Sequence, residues 1–223
     1  MAEALVIRAA TAADAPFLVE AICEAEKGGT ECLSYCRIFE LNEAEFKPLL
    51  LSMLEEDIDG QELCITDYLV AEQGGQLLGA CCAWIEGAAG QPSALLKASL
   101  LVHAIDPQRM RTARQHFKKL EKLYIMRDEG ALQIESVYVR PEGRGQGIAA
   151  QLIAAQLDRL ADKASTGHAQ IILASINDAA KASYTNCGFT PVRTVSSTDV
   201  ELLQLVPTLE KLLMQRTLSG VKV

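Results

Sequence analysis

The sequence predicts an α/β fold in which a mixed sheet carries helices. Two observations underlie that expectation. Short runs rich in β-branched and apolar residues alternate with longer stretches whose apolar residues recur every three or four positions. A glycine-punctuated turn, Arg144-Gly145-Gln146-Gly147-Ile148-Ala149, joins the run Val137-Tyr138-Val139 to an amphipathic stretch, so strand, tight loop and helix follow directly on one another. Hydrophobic residues make up 49% of the 223, enough to fill one sizeable core. The chain is long for one compact domain and short for two. We read residues 1–223 as a single domain carrying an insertion at 87–130.

Leu5-Val6-Ile7 reads as a short first strand. Thr11 or Asp14, followed by Pro16, starts a helix that runs to about Glu26 and stops at Gly28-Gly29. Residues 43–57 make a second amphipathic helix. Tyr68 to Gln73 and Gln76 to Glu86, joined by Gly74-Gly75, give a hairpin, because glycine tolerates the positive φ of a tight turn. Residues 87–130 look helical. Asp106 is a good N-cap with proline after it, and Met110, Ala113, Phe117, Leu120 and Tyr124 repeat at helical steps. The opposite face carries Arg109, Arg111, Arg114, Lys118, Lys119 and Lys122. A solvated face is the plain reading; a basic wall for an acidic acceptor or cofactor phosphates is the functional one. A strand at 131–139, a helix at about 147–163, a strand at 169–174, a helix at 178–186 and a closing strand pair near 189–206 complete the chain.

The net charge of −8 argues against general affinity for nucleic acid or an anionic membrane, since both are bound through basic surface. No apolar run reaches the roughly 18 residues that a bilayer span needs. Met1-Ala2-Glu3-Ala4 lacks the basic start of a signal peptide, and a cytoplasmic location is expected. The seven cysteines have no paired C-x-x-C spacing and mostly stand among apolar neighbours, as free thiols do in a reducing compartment. Cys32 and Cys36 have helical spacing, but histidine is absent there, so no metal site is expected.

Glycines let successive N–H groups in the 144–149 turn converge, and the following helix aims its partly positive end at the same point. An anion is expected there. A nucleoside-triphosphate loop would need Gly-Lys and then Ser or Thr where this chain has Gly147-Ile148-Ala149. Gly145, Gly147 and Ala150 fit a dinucleotide-binding G-x-G-x-x-A. That turn wants an acid about 20 positions on, however, and the next strand ends in Ser175-Ile176-Asn177. Arg144-x-x-Gly147-x-Ala149 resembles the R/Q-x-x-G-x-G/A signature of the GNAT superfamily of acyl-CoA-dependent N-acyltransferases. The segment from Asn177 through Ala180, Tyr184 and Gly188 to Phe189 resembles that family's N-x-x-A-x-x-x-Y-x-x-x-G-F. The two occur in the right order, and the resemblance covers residues 132–190 strongly and the first 86 loosely.

The resemblance implies a mainly antiparallel twisted sheet with helices on both faces, a helical insertion before the cofactor-binding strand, and an acyl-CoA-binding core at 131–190. Acetyl-CoA would be the cosubstrate, without a metal. Arg144, Gly145, Gln146, Gly147, Ile148 and Ala149 would cradle its pyrophosphate, and Val137, Tyr138 and Val139 would pair with the pantetheine arm. Asn177 would contact the cofactor, cap the next helix, or both. Tyr184 would act as general acid toward the coenzyme sulfur, since a phenol with a pKa near ~10 is protonated at neutral pH. Some relatives carry a glutamate base where this chain has Gln133, which cannot serve. Strand alternation puts 133, 135, 137 and 139 on one face and Leu132, Ile134 and Tyr138 on the other, making Glu135 the candidate base. An ordinary ion pair is the rival role for Glu135, and Glu86 is a weaker candidate base.

The expected activity is transfer of acetyl to a primary amine of a small molecule or peptide. The alternative is a non-catalytic acyl-CoA-binding or sensing domain. Trp84, in Ala83-Trp84-Ile85, reads as core, and Gly28 to Glu40, with Tyr35, as the lip of the acceptor site. The closing strands and the apolar tail from Leu202 to Leu213 offer a homodimer surface.

Overall fold

The hairpin at Gly74-Gly75 sits inside a larger sheet. The computed structural model describes residues 3–218. Its strands are β1 (Val6–Ala9), β2 (Tyr68–Gln73), β3 (Gln76–Ile85), β4 (Leu132–Val139), β5 (His168–Ala174), β6 (Thr190–Ser196) and β7 (Glu210–Thr217), and they pair in the order β1-β2-β3-β4-β5-β7-β6. Every pair is antiparallel except β4 with β5. The mixed, mainly antiparallel sheet is therefore the one the sequence predicts. A parallel pair needs a long crossover, and helix α6 (Ile148–Leu160) supplies it.

Helices cover both faces. On one lie α1 (Ala15–Lys27), α2 (Ser34–Phe39), α3 (Glu43–Glu55), α4 (Ser93–Ala104) and α5 (Pro107–Leu120), whose Leu18, Phe39, Leu50, Leu101 and Ala113 share a core with Val70, Cys82 and Trp84. On the other lie α6 and α7 (Asp178–Asn186), packed through Leu152, Ile153 and Tyr184 on Leu132, Ile134 and Cys81. Local chemistry sets the helix ends. Gly28 takes the left-handed conformation at φ 59° to stop α1. Asn42 and Glu45 close a reciprocal capping box on α3, and Asp106 accepts from the N–H groups of Gln108 and Arg109 on α5. The apolar stripe of α5 faces inward at Met110 and Ala113, while Arg111, Arg114 and Lys118 are exposed, which suits the solvated face.

Four details differ from what the sequence predicts or add to it. The lip at Gly28 to Glu40 contains a helix, α2. The closing strands are β6 and β7 at 190–196 and 210–217, because residues 200–204 form a 3-10 turn where the second strand of a pair near 189–206 was expected. Most of the apolar tail from Leu202 to Leu213 packs in this chain's own core, with Leu202, Leu205, Leu212 and Leu213 buried, while Leu203 is 44% exposed.

The fourth difference concerns β4. Alternation holds as far as Glu135, opposite Cys82, but the next register pair is Tyr138 with Ala80. Ser136 and Val137 together face Cys81, which is a β-bulge, and Ser136 takes φ 49° to make it. Beyond the bulge the faces exchange. Tyr138 joins Glu135's side, packing on the core of Cys82 and Trp84, whereas Val137 and Val139 pack with Leu132 and Ile134. Cys81 has no register partner on β4, and its carbonyl accepts from the fully buried Gln156 amide of α6 at 2.6 Å.

The bulge coincides with a parting of strands. β4 pairs with β5 only through Leu132, Gln133 and Ile134, after which the two diverge and Ile172 to Ala174 pair with β7 alone. A polar cross-brace closes the joined end: the buried Gln133 amide donates to Gln170 Oε1 at 2.9 Å. Close packing of β3 under α6 supports the bulged strand. A Cβ on Gly79 would lie 2.9 Å from the Tyr138 carbonyl oxygen and 3.1 Å from both Ile148 Cγ2 and Leu152 Cδ1. Gly79→Ala should therefore destabilise the fold by about 1–3 kcal/mol in urea denaturation; an unchanged midpoint would mean that β3 and α6 part at no cost.

Candidate functional site

The opening between β4 and β5 leads into a cavity of about 860 Å³. The 144–149 turn stands at one end. Gly145 and Gly147 adopt φ 77° and 72°, where a side chain is strained, yet an added Cβ on either would meet nothing within 4 Å. Backbone conformation, not crowding, calls for glycine at both. Gly147 caps α6, and the N–H groups of residues 145–150 donate to no acceptor among the described residues. Arg144 Nε donates to the Val139 carbonyl at 3.2 Å and Gln146 Nε2 to the Glu142 carbonyl at 3.1 Å, tying the turn to the strand before it. Gly143 was overlooked in the sequence; its Cβ would fall 3.1 Å from Ile148 Cδ1 and 3.2 Å from Val139 Cγ1.

Along the cleft, the edge of β4 from Glu135 to Val139 has no strand partner on the β5 side. Unpaired main-chain groups on such an edge can take an extended ligand. The far wall is the start of α7. Asn177 Oδ1 accepts from Ala180 N at 3.1 Å, which makes it the N-cap of that helix, and its amide lies against the Gly28-Gly29 turn. Tyr184, about two turns further, is 8% exposed and lines the cavity. Its hydroxyl has no hydrogen-bond partner among the described residues, yet it is not sealed from solvent. Burial, reinforced by the nearby Cys81 and Glu135, pushes its phenol well above the ordinary tyrosine value, so it stays protonated at neutral pH. Val137, Tyr138, Val139, Arg144, Ala149, Asn177, Tyr184 and Glu135 thus line one cavity. Gly145, Gln146, Gly147 and Ile148 belong to the turn at its end.

Glu135 is ion-paired with Arg127, whose guanidinium stacks on Trp84 at 5.4 Å. Burial raises the Glu135 carboxyl against the pull of Arg127. Trp84 is buried as expected, and it also lines the cavity. Glu86 accepts from Trp84 Nε1 at 3.0 Å and from Ser93 N at 2.8 Å. Those bonds make it a strut between β3 and α4, and Glu86 is not among the residues that line the cavity.

Sequence reasoning missed a second ion pair. Lys97 of α4 reaches Glu62 at 2.9 Å, and the Tyr35 hydroxyl donates to the same carboxylate oxygen at 2.9 Å. Tyr35 is held by stacking on Phe46, ring centroids 5.2 Å apart. Burial would raise the Glu62 carboxyl, but Lys97, Arg127 and Tyr35 together hold it below its ordinary value. A signal was available, because Lys97 is the single lysine or arginine in the otherwise apolar stretch Ser93–Ala104, and such a charge calls for a partner. Glu26, at the end of α1, also lines the cavity and forms no ion pair among the described residues. Its side chain is exposed at the rim of the cavity, where water reaches the carboxylate, and Lys211 of β7 lines the same cavity.

Comparison with known families and structures agrees with this geometry. The model of the family described as "Acetyltransferase (GNAT) family" matches residues 35–189. A search of curated proteins gives no significant match. Among solved structures, an N-acetyltransferase from Staphylococcus aureus Mu50 is similar at 14% identity and TM-score 0.65, covering 94% of this chain and 99% of its own. YncA from Salmonella typhimurium, solved with its cofactor acetyl-CoA, is similar at 16% identity and TM-score 0.55, covering 99% of this chain and 97% of its own. A phosphinothricin acetyltransferase from Sinorhizobium meliloti in complex with AcCoA matches at 16% identity and TM-score 0.52, covering 98% and 90%. At these identities the likeness is one of fold.

The Lys97–Glu62 pair yields a pH-dependent prediction. Folding holds the Glu62 carboxyl below its ordinary 4.5, so the stabilisation it gives is complete above that pH and is lost as pH falls through the lowered folded value. Lys97→Met should cost about 1–3 kcal/mol at neutral pH and progressively less in acid, read by urea denaturation across pH. A cost that does not change with pH would remove the ion pair from the account.

Proposed function

The chain belongs to the acetyltransferase (GNAT) family, and on that premise we propose that it is an N-acetyltransferase, moving acetyl from acetyl-CoA to a primary amine of a small molecule or peptide by direct attack. The observation that carries this reading is the convergence of three features on one cavity: a turn with free N–H groups, an unpaired strand edge, and a protonated tyrosine without a hydrogen-bond partner. These suit coenzyme A. Residues 144–149 would hold its pyrophosphate, aided by the Arg144 charge and the N-terminus of α6. The β4 edge at Val137 to Val139 would hold the pantetheine arm, with Asn177 across the cleft.

Acetyl-CoA supplies an activated thioester, so no covalent enzyme intermediate is needed and positioning contributes much of the acceleration. The chain's residues manage two protons. A neutral amine forms the new C–N bond, the C–S bond breaks, one proton leaves the nitrogen and one reaches the departing sulfur. Tyr184 is the proposed donor to sulfur, because its raised phenol is fully protonated at neutral pH and its hydroxyl is uncommitted. Glu135 is the proposed acceptor on the strand, its burial favouring proton uptake and Arg127 opposing it.

The Arg127–Glu135 ion pair also favours a second reading, a non-catalytic acyl-CoA-binding or sensing domain, since a committed carboxylate makes a poor base. Thiol release from acetyl-CoA in the presence of amines separates the two. On the catalytic reading Tyr184→Phe lowers kcat by about 100-fold while the coenzyme A Kd from calorimetry stays unchanged. Full activity in that variant removes the tyrosine from the mechanism, and saturable coenzyme binding without thiol release from any amine favours the sensor.

A further inference from the structure

The insertion gives the cavity a wall of its own. Val102, Met110, Phe117, Leu120, Tyr124 and Ile125, all from residues 87–130, line it together with Trp84. Three of these are unusually open for large apolar side chains: Val102 is 55% exposed, Phe117 38% and Tyr124 54%. Single exposed apolar residues are ordinary, but several grouped in the wall of one cavity mark a binding surface. The basic residues of α5 do not compensate for this apolar character. Arg109 bonds to the Phe39 and Glu40 carbonyls, Lys119 and, just beyond α5, Lys122 pair with Glu201 and Asp199, and none of these or of Arg111, Arg114 and Lys118 lines the cavity.

The cavity's charges are also unequal. Glu62 is neutralised by Lys97 and Glu135 by Arg127. Glu24 pairs with Lys27. Glu26 is the lining carboxylate without an ion pair among the described residues, although Lys211, opposite Ala174 on β7, lies near enough to influence it. It stands beside the Gly28-Gly29 turn, which touches Asn177 and Ala174 at the mouth of the cleft. One carboxylate without an ion pair among the described residues therefore lies by the cleft, with Lys211 lining the same cavity, and an apolar wall lies on the insertion helices.

We infer that the acceptor is a primary amine bearing a single positive charge and a bulky apolar body, its ammonium received by Glu26 on entry and giving a proton to water before the neutral amine attacks, its body packed on Val102, Phe117 and Tyr124. This inference rests on the acyltransferase reading above. A polyamine would need a second uncommitted carboxylate along the wall, and a polyhydroxylated amine would leave its hydroxyls against apolar side chains, which is costly.

The experiment measures thiol release from acetyl-CoA with 2-phenylethylamine, spermidine, kanamycin and L-glutamate as acceptors. The expected result is the highest kcat/KM with 2-phenylethylamine. Val102→Asp should cut that value about tenfold and narrow its lead over spermidine, because the new carboxylate suits a second ammonium. Glu26→Gln should raise the 2-phenylethylamine KM about tenfold. The coenzyme A Kd reports folding and should stay unchanged in both variants. Higher kcat/KM with any of the three polar amines, or a Val102→Asp enzyme with unaltered preference, overturns the inference and leaves acyl transfer standing. Absence of thiol release with every amine overturns the acyltransferase reading and this inference with it.

Discussion

The bulge at Ser136 is the constraint on which the site depends. A regular β4 would keep pairing with β5 to the ends of both strands, and the main-chain groups from Glu135 to Val139 would be used up in the sheet. One extra residue, at φ 49°, bends the strand away after Ile134 and frees that edge. Such a conformation is unfavourable for serine by about 1 kcal/mol or more, and the surroundings hold it in place. Gln156 takes the carbonyl of Cys81 opposite the bulge, Gly79 lets β3 lie close to the Tyr138 backbone, and the Gln133–Gln170 bond pins the strands together below the fork. The same residue sets the side-chain directions, so Tyr138 joins Glu135's face and Val137 leaves it.

Much of the architecture was legible because it is written locally. The glycine pair of the β2–β3 hairpin, the proline and caps of α1 and α5, and the glycines of the 144–149 turn each act within a few residues of themselves. Asn177 and Tyr184 share a helix with the rest of their motif, so spacing alone brings them to the same wall. The bulge left no such trace. A serine at positive φ looks like any strand serine, and without it an alternation argument along β4 fails from Ser136 onward. Lys97 in its apolar stretch signals that a partner exists but not which one, since Lys97 and Glu62 are 35 positions apart and meet only because α4 folds back over the sheet. The tail from Leu202 to Leu213 reads as one leucine-rich segment in sequence, though its leucines belong to a 3-10 turn and to β7 and most of them pack inside.

Charge within the site is distributed in a way the overall balance conceals. A chain of net charge −8 offers a weak field for an anionic cosubstrate, yet the 144–149 turn needs no long-range attraction. Its N–H groups and the end of α6 act over a few ångströms, where fixed dipoles outweigh distant charges that water screens. Inside the cavity, two carboxylates are neutralised by cations brought in on the insertion, Lys97 from α4 and Arg127 from the segment before β4. Without those cations, Glu26, Glu62 and Glu135 would stand together in one enclosed space and raise one another's affinity for protons.

The insertion therefore acts on the cavity in two ways that reinforce each other. By pairing Glu62 and Glu135 it reduces the cavity's negative charge, and a less charged interior is one that apolar side chains such as Phe117 and Val102 can border without stripping water from free ions. Had the insertion supplied the apolar wall alone, three free carboxylates would keep the space hydrated and favour polycations. Had it supplied the cations alone, the cavity would lack a surface to grip an uncharged body. Lys97 and Val102 lie five residues apart on α4, so one helix delivers both contributions.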